Sequence, residues 1–178
     1  MNTPDRPTTP DAQYQQAIDA FGPDIARFVA GYELDAPRRQ ELLQDVHLSL
    51  WQSFAGFKGQ CSLRTWVYRV AHNVGVNHIQ RNMRSVERNV LPLEDAEAVV
   101  DEAADIRLTD RRLDLERILA VVHRLEPLDR EVMLLYLEDL DAVAIGEITG
   151  LSPRNVATKV HRIKALLANQ LGAGSKSP

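Results

Sequence analysis

Apolar residues recur at helical spacing along most of the chain, and the two-residue alternation of a half-buried strand persists nowhere over a useful length. A first stretch carries Tyr14, Ile18 and Phe21 on one stripe. Gly22-Pro23 interrupts it, and Pro23 suits the first turn of a new helix with Ile25, Phe28, Val29 and Tyr32 on its apolar face. A break at Pro37 precedes a helix in which Leu43, Val46, Leu50 and Phe54 recur, with Trp51 beside them. Residues 55–61 hold two glycines and no stripe, which predicts a loop, and Ser62 is positioned to cap the next helix. From there Leu63, Trp66, Val67, Val70, Val74 and Met83 predict one long amphipathic helix to about Arg84. Its opposite face holds Arg64, Arg69, His72, Asn73, Asn77, Gln80 and Arg81.

Periodicity fades from residue 87 to about 112, where acids crowd and Pro92 ends any helix entering the stretch. Leu115, Ile118, Leu119 and Val122 then predict a helix to about Leu125, Glu126-Pro127-Leu128-Asp129 a turn and cap, and Val132, Met133, Leu135 and Tyr136 a short helix. Between Ala142 and Leu171 the pattern meets the requirements of a helix-turn-helix. Ile145 and Ile148 give the first helix an inner face, with Gly146 small where two helices approach. Gly150 supplies the positive φ of the turn, Ser152 an N-cap and Pro153 a first helical residue. Val156, Val160, Ile163 and Leu167 then face inward. The fold class is all-α, as two small helical domains. Residues 1–12 are expected to be disordered, 13–86 to form the first domain, 87–112 a flexible acidic linker, 113–171 the second domain and 172–178 a flexible tail.

A length of 178 residues, 44% hydrophobic and 26% charged, fits one medium or two small soluble domains. No apolar run approaches the roughly 18 residues of a membrane span, and the polar, proline-rich start offers no secretion signal. The lone Cys61 leaves no internal disulfide and fits a reducing compartment, so the expected location is cytoplasmic. In its loop Cys61 reads as a small filler residue. A net charge of −4 argues mildly against a nucleic-acid partner, but the charges segregate. Acids dominate residues 93–116, whereas Arg64, Arg69, Arg81, Arg84 and Arg88 face only Glu87 between 62 and 88. Arg154, Lys159, Arg162 and Lys164 have no acid near them in sequence between 153 and 170. The acidic stretch reads as a solvated tether, with a DNA-mimicking inhibitory segment as the alternative.

With the four apolar residues of the last helix inward, Arg154, Asn155, Thr158, Lys159 and Arg162 share its outer face, where they can meet base edges in the major groove or phosphates. An ordinary amphipathic helix with a solvated basic face shows the same spacing. The capped turn, the glycine at the crossing and the absence of acids favour the DNA-binding reading. His47, His72, His78, His123 and His161 lack compact ligand spacing, so no metal is assigned. There is no glycine-rich phosphate loop or nucleophile motif, hence no catalytic residue and no cofactor.

Val46 to Arg84 resembles region 2 of the extracytoplasmic-function sigma factors of the sigma-70 type. The resemblance is carried by Gln44-Asp45 in a helix ending at Leu50-Trp51, by Phe57-Lys58-Gly59, by Thr65-Trp66-Val67-Tyr68-Arg69-Val70-Ala71, and by Asn73. Leu125 to Leu167 resembles region 4 through Leu125, Pro127, Arg130, Glu131 and the helix-turn-helix. The resemblance implies that region 4 reads a −35 promoter element as duplex through Ser152, Arg154, Asn155, Thr158, Lys159 and Arg162. It implies that region 2 captures the −10 element as a separated strand through Lys58, Gln60, Ser62, Arg64, Arg69, His72, Asn73, Arg81 and Arg84. An unstacked base needs a shaped pocket with hydrogen-bonding groups and positive charge, and these residue types fit that need. Core RNA polymerase is the implied partner, through its β′ clamp helices and β flap, with Glu41, Gln44, Asp45, Leu48 and Trp51 on the docking helix. An anti-sigma factor is a further implied partner. Trp66 lies on the apolar stripe and is assigned to the core.

The chain departs from the family at several of these positions. Arg38-Arg39-Gln40-Glu41 stands where an acidic cluster is usual, which should alter docking electrostatics. His47 replaces a usual phenylalanine, His72 an arginine and Asn77 an aspartate. Asp141-Ala142 replaces a serine-tyrosine start, and Ala144 a glutamate. Two other function classes remain at this point. A stand-alone repressor or activator, with residues 14–86 for dimerisation or ligand binding, would bind duplex operator unaided. A helical enzyme would need a polar pocket that the sequence does not offer.

Overall fold

A computed structural model of the chain describes residues 9–88 and 118–174, and no strand occurs among them. The chain divides into two compact units, the first ending at Gln80 and the second beginning at Arg81.

In the first unit, helix α1 (Pro10–Ala30) starts because the Thr9 side chain accepts a hydrogen bond from the Ala12 amide at 3.3 Å and Pro10 occupies the first turn. Residues 9–12, expected to be disordered, are therefore held; residues 1–8 lie outside the described set. The break expected at Gly22-Pro23 does not occur, and Pro23 lies inside one continuous helix. Proline removes a helical hydrogen bond there. Ala17 before it and Ile25, Phe28 and Val29 after it are all buried, and that burial outweighs the missing bond.

Helix α2 (Ala36–Ser53) is capped by Asp35, which accepts from the Arg38 amide at 3.1 Å, so Pro37 begins the helix rather than preceding it. Its buried stripe is Leu42, Val46 and Leu50, continued by Phe54 in a 3-10 turn (Phe54–Gly56). Leu42 takes the inward position expected of Leu43, which is half-buried.

Helix α3 (Leu63–Arg88), which runs past the end of the first unit at Gln80, is capped as expected, with the Thr65 amide donating to Ser62 Oγ at 3.0 Å. Its buried stripe is rotated from the expected one, toward Val67, Tyr68, Ala71 and His72, and Met83 is 56% exposed. Aromatic packing causes the rotation. Phe28 meets Tyr32 and Tyr68 edge-on, each with ring centroids 5.3 Å apart, and the Tyr32 ring lies against Gly75, where a Cβ would stand 2.6 Å from it. The helix includes residues 87 and 88, which were expected in the linker. Linker residues 89–112 and the predicted helical Leu115 lie outside the described residues.

After the end of α3, the described part of the second unit comprises α4 (helical residues 118–122), α5 (Pro127–Leu137), α6 (Ala142–Thr149) and α7 (Pro153–Gly174). Its core is built from Leu119, Val122, Val132, Leu135, Ile145, Ile148, Val156, Val160, Ile163 and Leu167. The Arg130 guanidinium donates to the carbonyls of His123 and Leu125, just beyond the end of α4. Asp141 caps α6 through the Ala144 amide at 2.8 Å. Gly150 adopts φ +79°, and its amide donates to the Gly146 carbonyl at 2.9 Å. Gly146 is small for a reason: a Cβ there would meet the Leu151 carbonyl oxygen at 2.6 Å. Residues 172–174, expected as tail, belong to α7, and 175–178 lie outside the described set. No described helix is long and apolar enough to cross a membrane.

Because the atom opposing Gly146 belongs to the backbone, Gly146→Ala should destabilise the protein by about 1–3 kcal/mol through overpacking. Denaturant unfolding of the two proteins measures this, and unchanged stability would contradict the close approach.

Candidate nucleic-acid interface

Helix α7 is anchored by its four inward residues, so its other face is presented to solvent. Arg154, Asn155, Thr158 and Arg162 are exposed, as is Ser152, whose Oγ accepts from the Asn155 amide at 3.3 Å. Thr158 turns its hydroxyl back to the Arg154 carbonyl at 3.0 Å. Arg154, Thr158 and Arg162 follow one another at intervals of four and form one row. His161, which the sequence analysis considers only as a metal ligand, is exposed beside them. Its spacing of three from Thr158 was the available signal. Lys159 departs from the expected set: it flanks the row, and its ammonium lies 2.7 Å from the buried carboxylate of Asp129. The Arg162 guanidinium also donates to Asp129.

In the first unit the loop before α3 is held by its own atoms. The Lys58 amide donates to Gln60 Oε1 at 2.7 Å, and Gln60 Nε2 donates to the Gly56 carbonyl at 3.3 Å. Gly59 supplies φ +74° between them. Gln60, expected to contact DNA, thus braces the loop with both ends of its amide, while the Lys58 side chain is exposed. Arg64 is half-buried, with its guanidinium 5.9 Å from the centre of the Tyr68 ring, and Arg69 is also half-buried. Asn73, Asn77, Arg81 and Arg84 follow at intervals of four, four and three and are exposed along α3. Trp66 is half-buried rather than part of the core expected of it: it donates through Nε1 to Ser53 Oγ at 2.9 Å, and its ring centroid lies 5.1 Å from that of Phe57, also half-buried.

His72 does not belong to this surface. It is 5% exposed, and its Nδ1 shares a 3.0 Å hydrogen bond with the Tyr32 hydroxyl. Burial holds its pKa down to about 4, so the ring is neutral and cannot contact a DNA phosphate as expected. His47 is similarly tied to Tyr14 at 3.0 Å, with its pKa lowered by burial. His78 Nε2 stands 2.9 Å from Glu33 Oε2.

On α2 the structure brings Glu41, Gln44, Asp45, Leu48 and Trp51 onto one exposed face, with Leu48 54% and Trp51 47% exposed. Trp51 Nε1 donates to Asp11 at 2.8 Å. Two large apolar side chains between carboxylates and an amide are a surface suited to a protein partner.

Residues 17–85 match the family model described as Sigma-70 region 2, and residues 115–167 match Sigma-70, region 4. The RNA polymerase sigma-H factor of Pseudomonas aeruginosa is 30% identical over 137 residues, which cover 75% of this chain and 65% of that protein. The ECF RNA polymerase sigma-E factor of Haemophilus influenzae is 26% identical over 167 residues, covering 90% of this chain and 84% of that protein. Among solved structures, the sigma factor RpoE of Bartonella quintana, in complex with the anti-sigma factor NepR, is similar with a TM-score of 0.70. At 16% identity over 89% of this chain and 96% of that one, the likeness is one of fold.

The buried imidazole gives the first unit a pH signature. His72 has an ordinary value of 6.5 and a folded value of about 4, so its stabilisation is complete above pH 6.5. As pH falls toward 4 the unfolded chain takes the proton first, and about 3 kcal/mol is lost. Unfolding titrations from pH 7 to 4 should fall less steeply for His72→Gln than for wild type. Equal slopes would mean that the ring is accessible in the folded protein.

Proposed function

We propose a function that proceeds from one fact: the chain belongs to the sigma-70 family, as a member of its extracytoplasmic-function group. It directs core RNA polymerase to specific promoters and supports initiation there. The observation that carries this reading is the pairing of two separately folded units, each with a polar, basic face opposite a buried stripe, in the family's order. The second unit reads the −35 element as duplex, with α7 in the major groove and Arg154, Asn155, Thr158, His161 and Arg162 facing it. The loop before α3 and α3 itself capture the −10 element as a separated strand. Lys58 on the braced loop and Arg64, Arg69, Asn73, Arg81 and Arg84 along α3 follow its backbone.

The exposed face of α2 docks on the β′ clamp helices, and the second unit meets the β flap. The polymerase supplies the chemistry, and this chain acts as a binding subunit rather than a catalyst, in the cytoplasm. An anti-sigma factor covering the promoter- and polymerase-binding faces would hold it inactive; in the Bartonella quintana complex such a factor, NepR, accompanies RpoE.

The first turn of α2, Ala36-Pro37-Arg38-Arg39, contains no acid and places two cations near the positive end of the helix dipole. We expect weaker polymerase docking than an acidic start would give, so the double variant Arg38→Asp/Arg39→Ala should bind core polymerase more tightly. Equal affinities would contradict that expectation. Arg154→Ala should weaken −35 duplex binding by about 1–3 kcal/mol if its contact is to a base edge. Co-purification separates this function from that of a stand-alone repressor. The tagged chain should carry core polymerase with it, whereas a dimer that binds duplex operator and leaves polymerase behind would defeat the reading.

A further inference from the structure

Asp129 is the third residue of α5, 7% exposed, and lies beneath α7. Lys159 Nζ is 2.7 Å from one carboxylate oxygen, and the Arg162 guanidinium donates to the other. The Lys159 side chain is 26% exposed and that of Arg162 58%, so the lysine is the more deeply held. The two cations stand three residues apart on α7 and meet an anion 30 and 33 residues earlier in the chain. The carboxylate also sits in the first turn of α5, where the helix dipole favours negative charge. Cations satisfied in this way lose much of their gain from meeting a phosphate, because doing so leaves a nearly buried carboxylate without its partners.

We infer that Asp129 is a specificity-determining positioning residue, which withholds Lys159 from DNA phosphates and orients Arg162. Indiscriminate attraction to any duplex is thereby reduced, and the row led by Arg154 decides where the unit binds. The inference rests on the reading of α7 as a DNA-facing helix and adds to it a limit on nonspecific binding.

The test is the salt dependence of binding between the full chain and a random-sequence duplex of about 20 base pairs, since each cation engaging a phosphate steepens the log–log slope by about 0.9. Asp129→Asn keeps the side-chain shape and should bind this duplex more tightly, with a slope steeper by about 0.9 to 1.8. Asp139→Asn is the control for net charge: it removes the same charge from an exposed site at φ +56°, a conformation that asparagine tolerates. Its slope should match that of wild type. If both variants give the same slope while Arg154→Ala still weakens duplex binding, the inference fails and the DNA-facing reading stands. If wild type shows no salt-dependent duplex binding, both fail. Should Asp129→Asn melt as an unfolded chain, Lys159→Gln takes its place. It should flatten the slope by less than Arg154→Ala does, and equal flattening would overturn the inference.

Discussion

A helix buried along one stripe has no freedom about where its opposite face points, and both units depend on that constraint. Val156, Val160, Ile163 and Leu167 are buried on α7, and Val67, Tyr68 and Ala71 on α3. Each large apolar side chain among them contributes about 1.5–3 kcal/mol on leaving water. Turning α7 by one residue would expose part of that stripe and bury polar side chains, at a cost comparable to the stability of a small domain. The outward row of Arg154, Thr158, His161 and Arg162 is therefore a consequence of the core. Gly146 and Gly150 set where the row begins: one allows the Leu151 carbonyl to come close, and the other turns the chain through a left-handed residue.

The features legible in the sequence were those that depend on neighbours in sequence. The α7 stripe, the Ser62 and Ser152 caps, the Gly150 turn and the all-helical class follow from spacing and local backbone chemistry. What escaped is set by residues far apart in the chain. Pro23 reads locally as a break, yet packing on both sides of it keeps α1 whole. His72 falls on a polar face by spacing, but Tyr32, 40 residues away, draws it into the core. Met83 fits an apolar stripe that the aromatic cluster around Phe28 rotates away from it. The hold of Asp129 on Lys159 has no local signature at all.

The two faces suit different states of the same polymer. In the proposed function a rigid duplex would be met by a rigid helix whose row of side chains is fixed by its core. In the same proposal a flexible single strand would be met by the loop that Gln60 braces internally, followed by a polar stripe of α3. Net charge of −4 conceals this arrangement because the bases lie on these faces while the acids crowd residues 93–116. Local potential, more than total charge, governs attraction to a polyanion. The proposed function adds what the geometry cannot supply by itself, namely that both ends would work on one promoter in the hands of one polymerase.

Transcription in vitro by core polymerase, with and without this chain, tests that claim most directly. Template drawn from the genome that encodes the chain offers its own promoters. The account predicts discrete transcripts, started at defined positions, that appear only when the chain is added. Transcript patterns identical with and without the chain would contradict it.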